Sequence, residues 1–409
     1  VSEARQYDVL GGIRVVELSS YAFAPAAGAI LAEWGADVIR VGRPDVADPL
    51  MSNPVKGMAE DSVDVAYMWE ILNRAKRSIG LDLTTLDGRA VFDALIDRAD
   101  VFLTSALPAA RRKLAITADD LRASNPRLVY ACASGNGPTG PESERGGFDA
   151  SSFWARSGLA DASFAMSGEH SQPAMAIGDL ASGTALAAGI VGALLRRERT
   201  GEGGLVDVSL FGSAVWLQSP SIVAAGVYGV PRLPLAASER PKQNPLVATY
   251  RTADDRYVTV ASLAGDRGWD DLCRVAGRAD LAADPRFRTL ADRLAHDQAC
   301  RAELTALFAA HPLPRWLELL DGTALQACPV QTAAEVLADP MATANGYVRA
   351  VTAASGTTFA TTATPVQFDG AAGATERAPM HGEQTETVLL ELGYQWDEIA
   401  ELKATGAIL

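Results

Sequence analysis

Apolar and polar positions alternate through Ile13-Arg14-Val15-Val16-Glu17-Leu18, which predicts a half-buried strand. Ser19 to Pro25 then turns the chain into an Ala-rich run with helical spacing, which continues to Trp34 and stops at Gly35-Ala36-Asp37. Val38-Ile39-Arg40-Val41 reads as the next strand. A strand, a crossover of helix length and a second strand imply parallel pairing, so the expected class is α/β with an open parallel sheet. The same texture recurs: a helix over 85–97, strands over 101–103 and 128–133, and a strand over 206–210. From about Pro220 the pattern changes, because Pro231, Pro234, Pro241 and Pro245 break periodicity and charged helices with short strands follow. This predicts a linker and a smaller α+β domain over 221–335, with the larger domain in 1–220 and a final segment, 336–409, that ends in amphipathic helix.

Asp179 follows Gly178 at the front of the apolar segment from Leu180 to Leu195, which runs on into Arg196-Arg197-Glu198-Arg199-Thr200-Gly201. That position predicts a helix N-cap, where backbone N–H groups face the carboxylate and keep it ionised. Gly201 stands as the helix stop. The apolar run includes Ser182 and Thr184 and falls short of the ~20 residues of a membrane span.

The 409 residues exceed the size at which a single core stops growing, about 250 to 300 residues, which agrees with two domains. A formal charge of −14 argues against nucleic acid or an anionic membrane as partner. An anionic ligand would therefore need a local basic site. Asn73-Arg74-Ala75-Lys76-Arg77-Ser78 is one candidate, readable as a solvated surface turn or as an anion clamp. Cys132, Cys273, Cys300 and Cys328 show no C-x-x-C spacing, and His170, His296, His311 and His381 stand far apart, so neither a metal site nor a disulfide framework is expected. Reduced thiols and the lack of a charged-then-apolar leader suggest a soluble cytoplasmic protein. The loop after the first strand has only Gly28, inside the helix, and so lacks the G-x-G-x-x-G fingerprint of dinucleotide binding. Ser134-Gly135-Asn136-Gly137-Pro138-Thr139-Gly140-Pro141 is a turn-dense loop that either only connects or lets a ligand approach the backbone closely.

Taken together, several motifs resemble the family III CoA-transferases, the CaiB/BaiF family, which includes formyl-CoA:oxalate, carnitine and bile-acid CoA-transferases and the α-methylacyl-CoA racemases. They are Gly12 to Leu18, Ala32 to Val41, Lys76-Arg77-Ser78-Ile79, Asn125 to Tyr130, Gly178-Asp179, Cys328-Pro329-Val330, Ala338-Asp339-Pro340, Gly382 to Thr385 and Glu391-Leu392-Gly393-Tyr394. Their order and spacing cover nearly the whole chain. The resemblance implies a Rossmann-like large domain built from both chain ends, a small middle domain and an interlocked homodimer. It also implies that Asp179 is the nucleophile, that Asp149 helps form the acyl site, and that Tyr21 lies near the CoA moiety. Arg43, Lys76 and Lys113 match the family's basic contacts to CoA, with Arg77 adjacent; Asn73, Ser105 and Ala106 fall in the segments that hold the cofactor-like part of the substrate. On this reading CoA is part of the substrate, and neither a prosthetic group nor a metal is required.

Three departures accompany the resemblance. Gly42 stands where the family often has Glu, Ser105-Ala106-Leu107-Pro108-Ala109 replaces an Asn- and Gly-bearing turn, and no glycine run appears between Pro231 and Val247. Two other functions fit the same fold. A racemase would need a histidine where this chain has Phe148, since proton exchange at an α-carbon takes two titratable partners. A non-catalytic acyl-CoA-binding dimer would have no use for Asp179. The identities of the donor thioester and the acceptor acid are not written in these motifs.

Overall fold

The computed structural model describes residues 8–52, 65–167, 175–231, 243–262, 265–370 and 376–409. His170, the Pro173-Ala174 lead into the Asp179 stretch and linker residues 232–242 lie outside these. Two compact units emerge: Val1–Pro234 with Pro340–Leu409, and Leu235–Asp339.

The first unit is built on six strands, β1 (Arg14–Leu18), β2 (Asp37–Gly42), β3 (Arg77–Gly80), β4 (Val101–Thr104), β5 (Val129–Ser134) and β6 (Gly204–Ser209). They pair in the order β3-β2-β1-β4-β5-β6, and every pairing is parallel. The central strands are apolar on both faces, as expected where helices cover both sides. Val15, Val101, Val129 and Ala131 face a core shared with the helices Phe23–Glu33 and Ile177–Thr200. Val16, Phe102 and Tyr130 face a second core with the helix Leu86–Asp97, whose N-cap Thr85 accepts a hydrogen bond from the Gly88 N–H. Strand order reverses between β1 and β4, so the loops leaving their C-terminal ends diverge and open a crevice, the usual ligand site of such sheets.

The helix Ile177–Thr200 spans 24 residues and is long and apolar enough to cross a membrane by length and composition. Here one side of it, Leu186, Ala187, Ile190 and Leu194, packs into the first core instead. The C-terminal segment returns to the same unit and closes its β3 edge. Gln384 Oε1 accepts from the Ser78 N–H at 2.8 Å and Thr385 Oγ1 from the Gly80 N–H at 3.0 Å, while Val388, Leu389, Ile399 and Leu402 join the second core.

The second unit holds an antiparallel sheet of β7 (Val247–Arg251), β8 (Tyr257–Ala261) and β9 (Gln326–Pro329), around which helices bury Trp269, Phe287, Phe308 and Trp316. Periodicity indicates only β8 of these strands: β7 has no run like Val258-Thr259-Val260, and β9 ends in Pro329.

Candidate active site

A cavity of about 530 Å³ lies over the C-terminal ends of β1, β4 and β5, at the point where strand order reverses. Tyr21, Ser105, Ala106, Phe148 and Asp179 all reach it, so the fold brings together residues from four stretches far apart in sequence. The glycine-rich loop after β5 forms part of its wall. A Cβ on Gly135 would lie 2.6 Å from the Gly147 Cα, so a glycine is required where this loop meets the segment leading to Phe148.

Asp179 is not the helix cap that its sequence context suggests. Ala176 takes that place with a left-handed φ of 64°, and Asp179 falls in the first helical turn. Three residues of shift turn the carboxylate away from the cap position, and no hydrogen bond or ion pair reaches it among the described residues. Burial, reinforced by the nearby Asp149 carboxylate, pushes Asp179 up to about 7. The expectation of a carboxylate held ionised by a cap is thereby corrected: this one is poised near neutrality.

Asp149 opens a π-helical turn, Asp149–Ala155, a helix form often found at functional sites. Burial raises its carboxyl as well, opposed by backbone N–H donors that include Gly178 at 3.2 Å. A Cβ on Gly178 would sit 2.3 Å from both Asp149 Oδ1 and Phe153 Cγ. Gly178→Ala is therefore expected to drive Asp149 from its seat beside Asp179 and to lower kcat/KM about tenfold or more, since small misplacements of reacting groups cost that much. Wild-type steady-state kinetics in this variant would oppose the assignment.

Tyr21 also has a left-handed backbone, with φ of 64°, at the turn between β1 and the Phe23–Glu33 helix. Its ring meets Phe148 edge-on at 5.5 Å, and both rings remain half-exposed, at 50% and 60%, on the cavity wall. Ser105 Oγ accepts from the Ser20 N–H at 3.2 Å, which ties the altered turn after β4 to the turn after β1. Ser105 and Ala106 thus line the cavity without the asparagine of the family pattern.

The basic residues behave differently from the sequence expectation. Lys76 is fully buried, with Nζ 2.8 Å from Glu17 Oε2 and donating to the Pro25 carbonyl and to Asn73 Oδ1. Asn73 is buried with it. Neither can meet a phosphate in this arrangement, because burial leaves no path to either polar group. Arg77 is engaged by Asp37 at 2.6 Å and Glu391 at 2.7 Å, away from the cavity. Lys113 is exposed on the helix Pro108–Lys113 but does not line the cavity. Arg43 lines an adjoining cavity of about 320 Å³ that shares Ser20, Tyr21, Ser105 and Ala106 with the first, and there it pairs with Asp45 at 2.8 Å. Arg111 and Asp207, which belong to none of the motifs, also stand on the main cavity wall. Asp207 leaves a visible trace, a charge inside the apolar strand Val206-Asp207-Val208; Arg111 is hidden in the run Arg111-Arg112-Lys113.

A family model described as CoA-transferase family III matches residues 10–385. The chain is 31% identical to the (R)-2-hydroxy-4-methylpentanoate CoA-transferase of Clostridioides difficile, over 98% of this chain and 99% of that protein. It is 30% identical to the cinnamoyl-CoA:phenyllactate CoA-transferase of Clostridium sporogenes, over 98% of each. Among solved structures, a CaiB/BaiF family protein from Brucella suis superposes with a TM-score of 0.80 at 28% identity, covering 94% of this chain and 99% of that one.

Proposed function

Since the chain belongs to CoA-transferase family III and is an enzyme, we propose that it moves CoA from an acyl-CoA thioester to a free carboxylic acid through covalent intermediates on Asp179. The observation that carries this reading is the placement of Asp179, a carboxylate with no partner among the described residues, on the wall of the switch-point cavity.

In the first step an Asp179 oxygen attacks the thioester carbonyl, and the C–S bond breaks to leave a mixed anhydride and CoA thiolate. The thiolate attacks the aspartyl carbonyl, which frees the first acid and forms an aspartyl-CoA thioester. An acceptor carboxylate then attacks that thioester, giving a second anhydride and thiolate. Attack of the thiolate on the acceptor's carbonyl yields the new acyl-CoA and regenerates Asp179. No net proton is consumed. Asp149, held by the Gly178 N–H, fixes the approach beside Asp179. The aromatic pair Tyr21 and Phe148 narrows the way in and limits water, which would hydrolyse an anhydride.

Only the carboxylate form attacks. With Asp179 at about 7, kcat/KM should climb tenfold per pH unit below that value and level off above it. A profile flat between pH 5 and pH 8 would count against an Asp179 nucleophile. The reading itself is tested by incubating acyl-CoA panels with free acids and following CoA exchange by mass spectrometry, with hydroxylamine added to trap an aspartyl thioester. Absence of exchange with every donor and of any modified Asp179 would reject it.

We further propose that the enzyme works as an interlocked homodimer. Supporting this, consecutive helices Leu210–Leu217 and Ser219–Tyr228 leave Trp216, Val223, Val227 and Tyr228 exposed, Trp216 and Tyr228 by more than three quarters. Light scattering should give twice the chain mass of 42.9 kDa.

A further inference from the structure

The phosphates of CoA call for cations, preferably arginine forks. Lys76 and Arg77 are occupied elsewhere, and Lys113 stands off the cavity wall. Three arginines do line the main cavity, Arg111, Arg112 and Arg145. Arg112 pairs with Glu144 at 2.8 Å and Arg145 with Glu142 at 3.4 Å. Arg111 has no ion pair among the described residues: its guanidinium donates to the Tyr130 hydroxyl, a neutral partner, and its buried Nε has no hydrogen-bond partner.

Its surroundings place it at some remove from the reacting carboxylate. Register pairs Tyr130 of β5 with Leu205 of β6, and Cys132 with Asp207, so these four side chains share one face of the sheet. The helix bearing Asp179 covers the opposite face, where Val206 and Val208 pack. The cavity holding both Asp179 and Arg111 therefore passes over the strand ends from one face to the other. Arg111, on the helix Pro108–Lys113 that follows β4, lies beside Tyr130, Cys132 and Asp207, and its charge partly offsets the burial that raises the Asp207 carboxyl.

Resting on the CoA-transfer reading above, we propose that Arg111 grips a phosphate of CoA, taking the part that the sequence pattern gives to Lys76. A thioester held at Asp179 reaches the far face through its long pantetheine arm, which ends in phosphates. The open outer face of β6, where Leu205 is more than half exposed, leaves room for the nucleotide end.

The test compares wild type with Arg111→Ala and Arg111→Lys. Calorimetry with free CoA should show about ten- to a hundredfold weaker binding in Arg111→Ala, the effect expected for losing a charge-assisted hydrogen bond, and an intermediate loss in Arg111→Lys. Turnover of the pantetheine thioester of the same acid, which lacks every phosphate, should be equal in all three proteins. With 3′-dephospho-CoA, a persisting deficit assigns the contact to the pyrophosphate, and a vanished one assigns it to the 3′-phosphate. Unchanged CoA affinity in Arg111→Ala overturns the proposal, as does an equal loss with the pantetheine thioester. A deficit confined to dicarboxylyl thioesters overturns it too, by moving the contact to the acyl group. A wild-type protein that binds CoA yet exchanges no acids would reject the transferase reading and leave the calorimetric result for Arg111 intact.

Discussion

Asp179→Asn is expected to lower CoA transfer by a factor on the order of 10⁴ to 10⁶ while CoA itself still binds, because removing a covalent nucleophile removes the route and not merely one contact. The same substitution should stabilise the protein at neutral and higher pH. Burial and the neighbouring Asp149 raise Asp179 in the folded protein to about 7, against an ordinary value of 3.8. The unfolded chain therefore loses its proton first as pH rises, and folding stability falls between about pH 4 and pH 7, then stays at the lower level. Asparagine does not titrate and escapes this loss. Thermal melts should show the variant more stable by about 4 kcal/mol at pH 8, with the gap closing toward pH 4. Transfer retained in Asp179→Asn would sink the nucleophile assignment. Full loss of transfer without the pH-dependent gain would keep the nucleophile but refute the strained carboxylate. The two results together would tie the chemistry to its structural cause: Asp179 reacts because the fold holds it where a negative charge is costly.

That cause was not legible in the sequence, although its location was. Gly178-Asp179 ahead of an apolar run marked the helix Ile177–Thr200 and a carboxylate that the fold places on the cavity wall, and alternation marked β1, β2, β4, β5 and β6 within a residue or two at most boundaries. Local patterns sufficed for β1, β2, β4 and β5 because a buried parallel strand is apolar whatever lies around it, and for β6 because alternation marks a half-exposed edge. What escaped was decided by contacts distant in sequence. Ala176 caps the helix because the chain entering it adopts a left-handed turn, a conformation alanine does not advertise. Asp149 meets Asp179 only after the loop following β5 and the π-helical turn bring them together, across 29 residues between Asp149 and Gly178. The basic turn at Asn73 to Ser78 misled for a similar reason. Its charges resemble a solvated clamp in sequence, whereas the fold buries Lys76 against Glu17, a residue of β1 with no visible link to it. Arg111 illustrates the converse. Among three consecutive cations, only the position of the helix after β4 decides that Arg111 and Arg112 line the cavity and Lys113 does not.

Lys76→Met should therefore be a stability variant before it is a binding variant. In the folded protein Lys76 Nζ lies 2.8 Å from Glu17 Oε2, and both side chains are wholly inaccessible. Burial pulls the ammonium below its usual range, and Glu17 pulls it back. Ser19 Oγ donates to Glu17 Oε1 at 2.7 Å, which completes a closed polar knot beneath the turn that carries Tyr21. Methionine matches the lysine stem but leaves the Glu17 carboxylate buried without its cation, a defect worth about 3 to 5 kcal/mol. Replacing both partners, as in Glu17→Leu with Lys76→Met, removes the unpaired charge and should recover most of that loss, because a well-packed apolar pair is often as stable as a buried ion pair. Denaturant titrations of the two single variants and the double variant measure the coupling directly. If Lys76 served the CoA phosphates instead, Lys76→Met would melt like wild type and bind CoA more weakly, and the double variant would regain nothing. The buried geometry requires the opposite order: a large loss in the single variant, recovery in the double, and CoA affinity restored along with the fold.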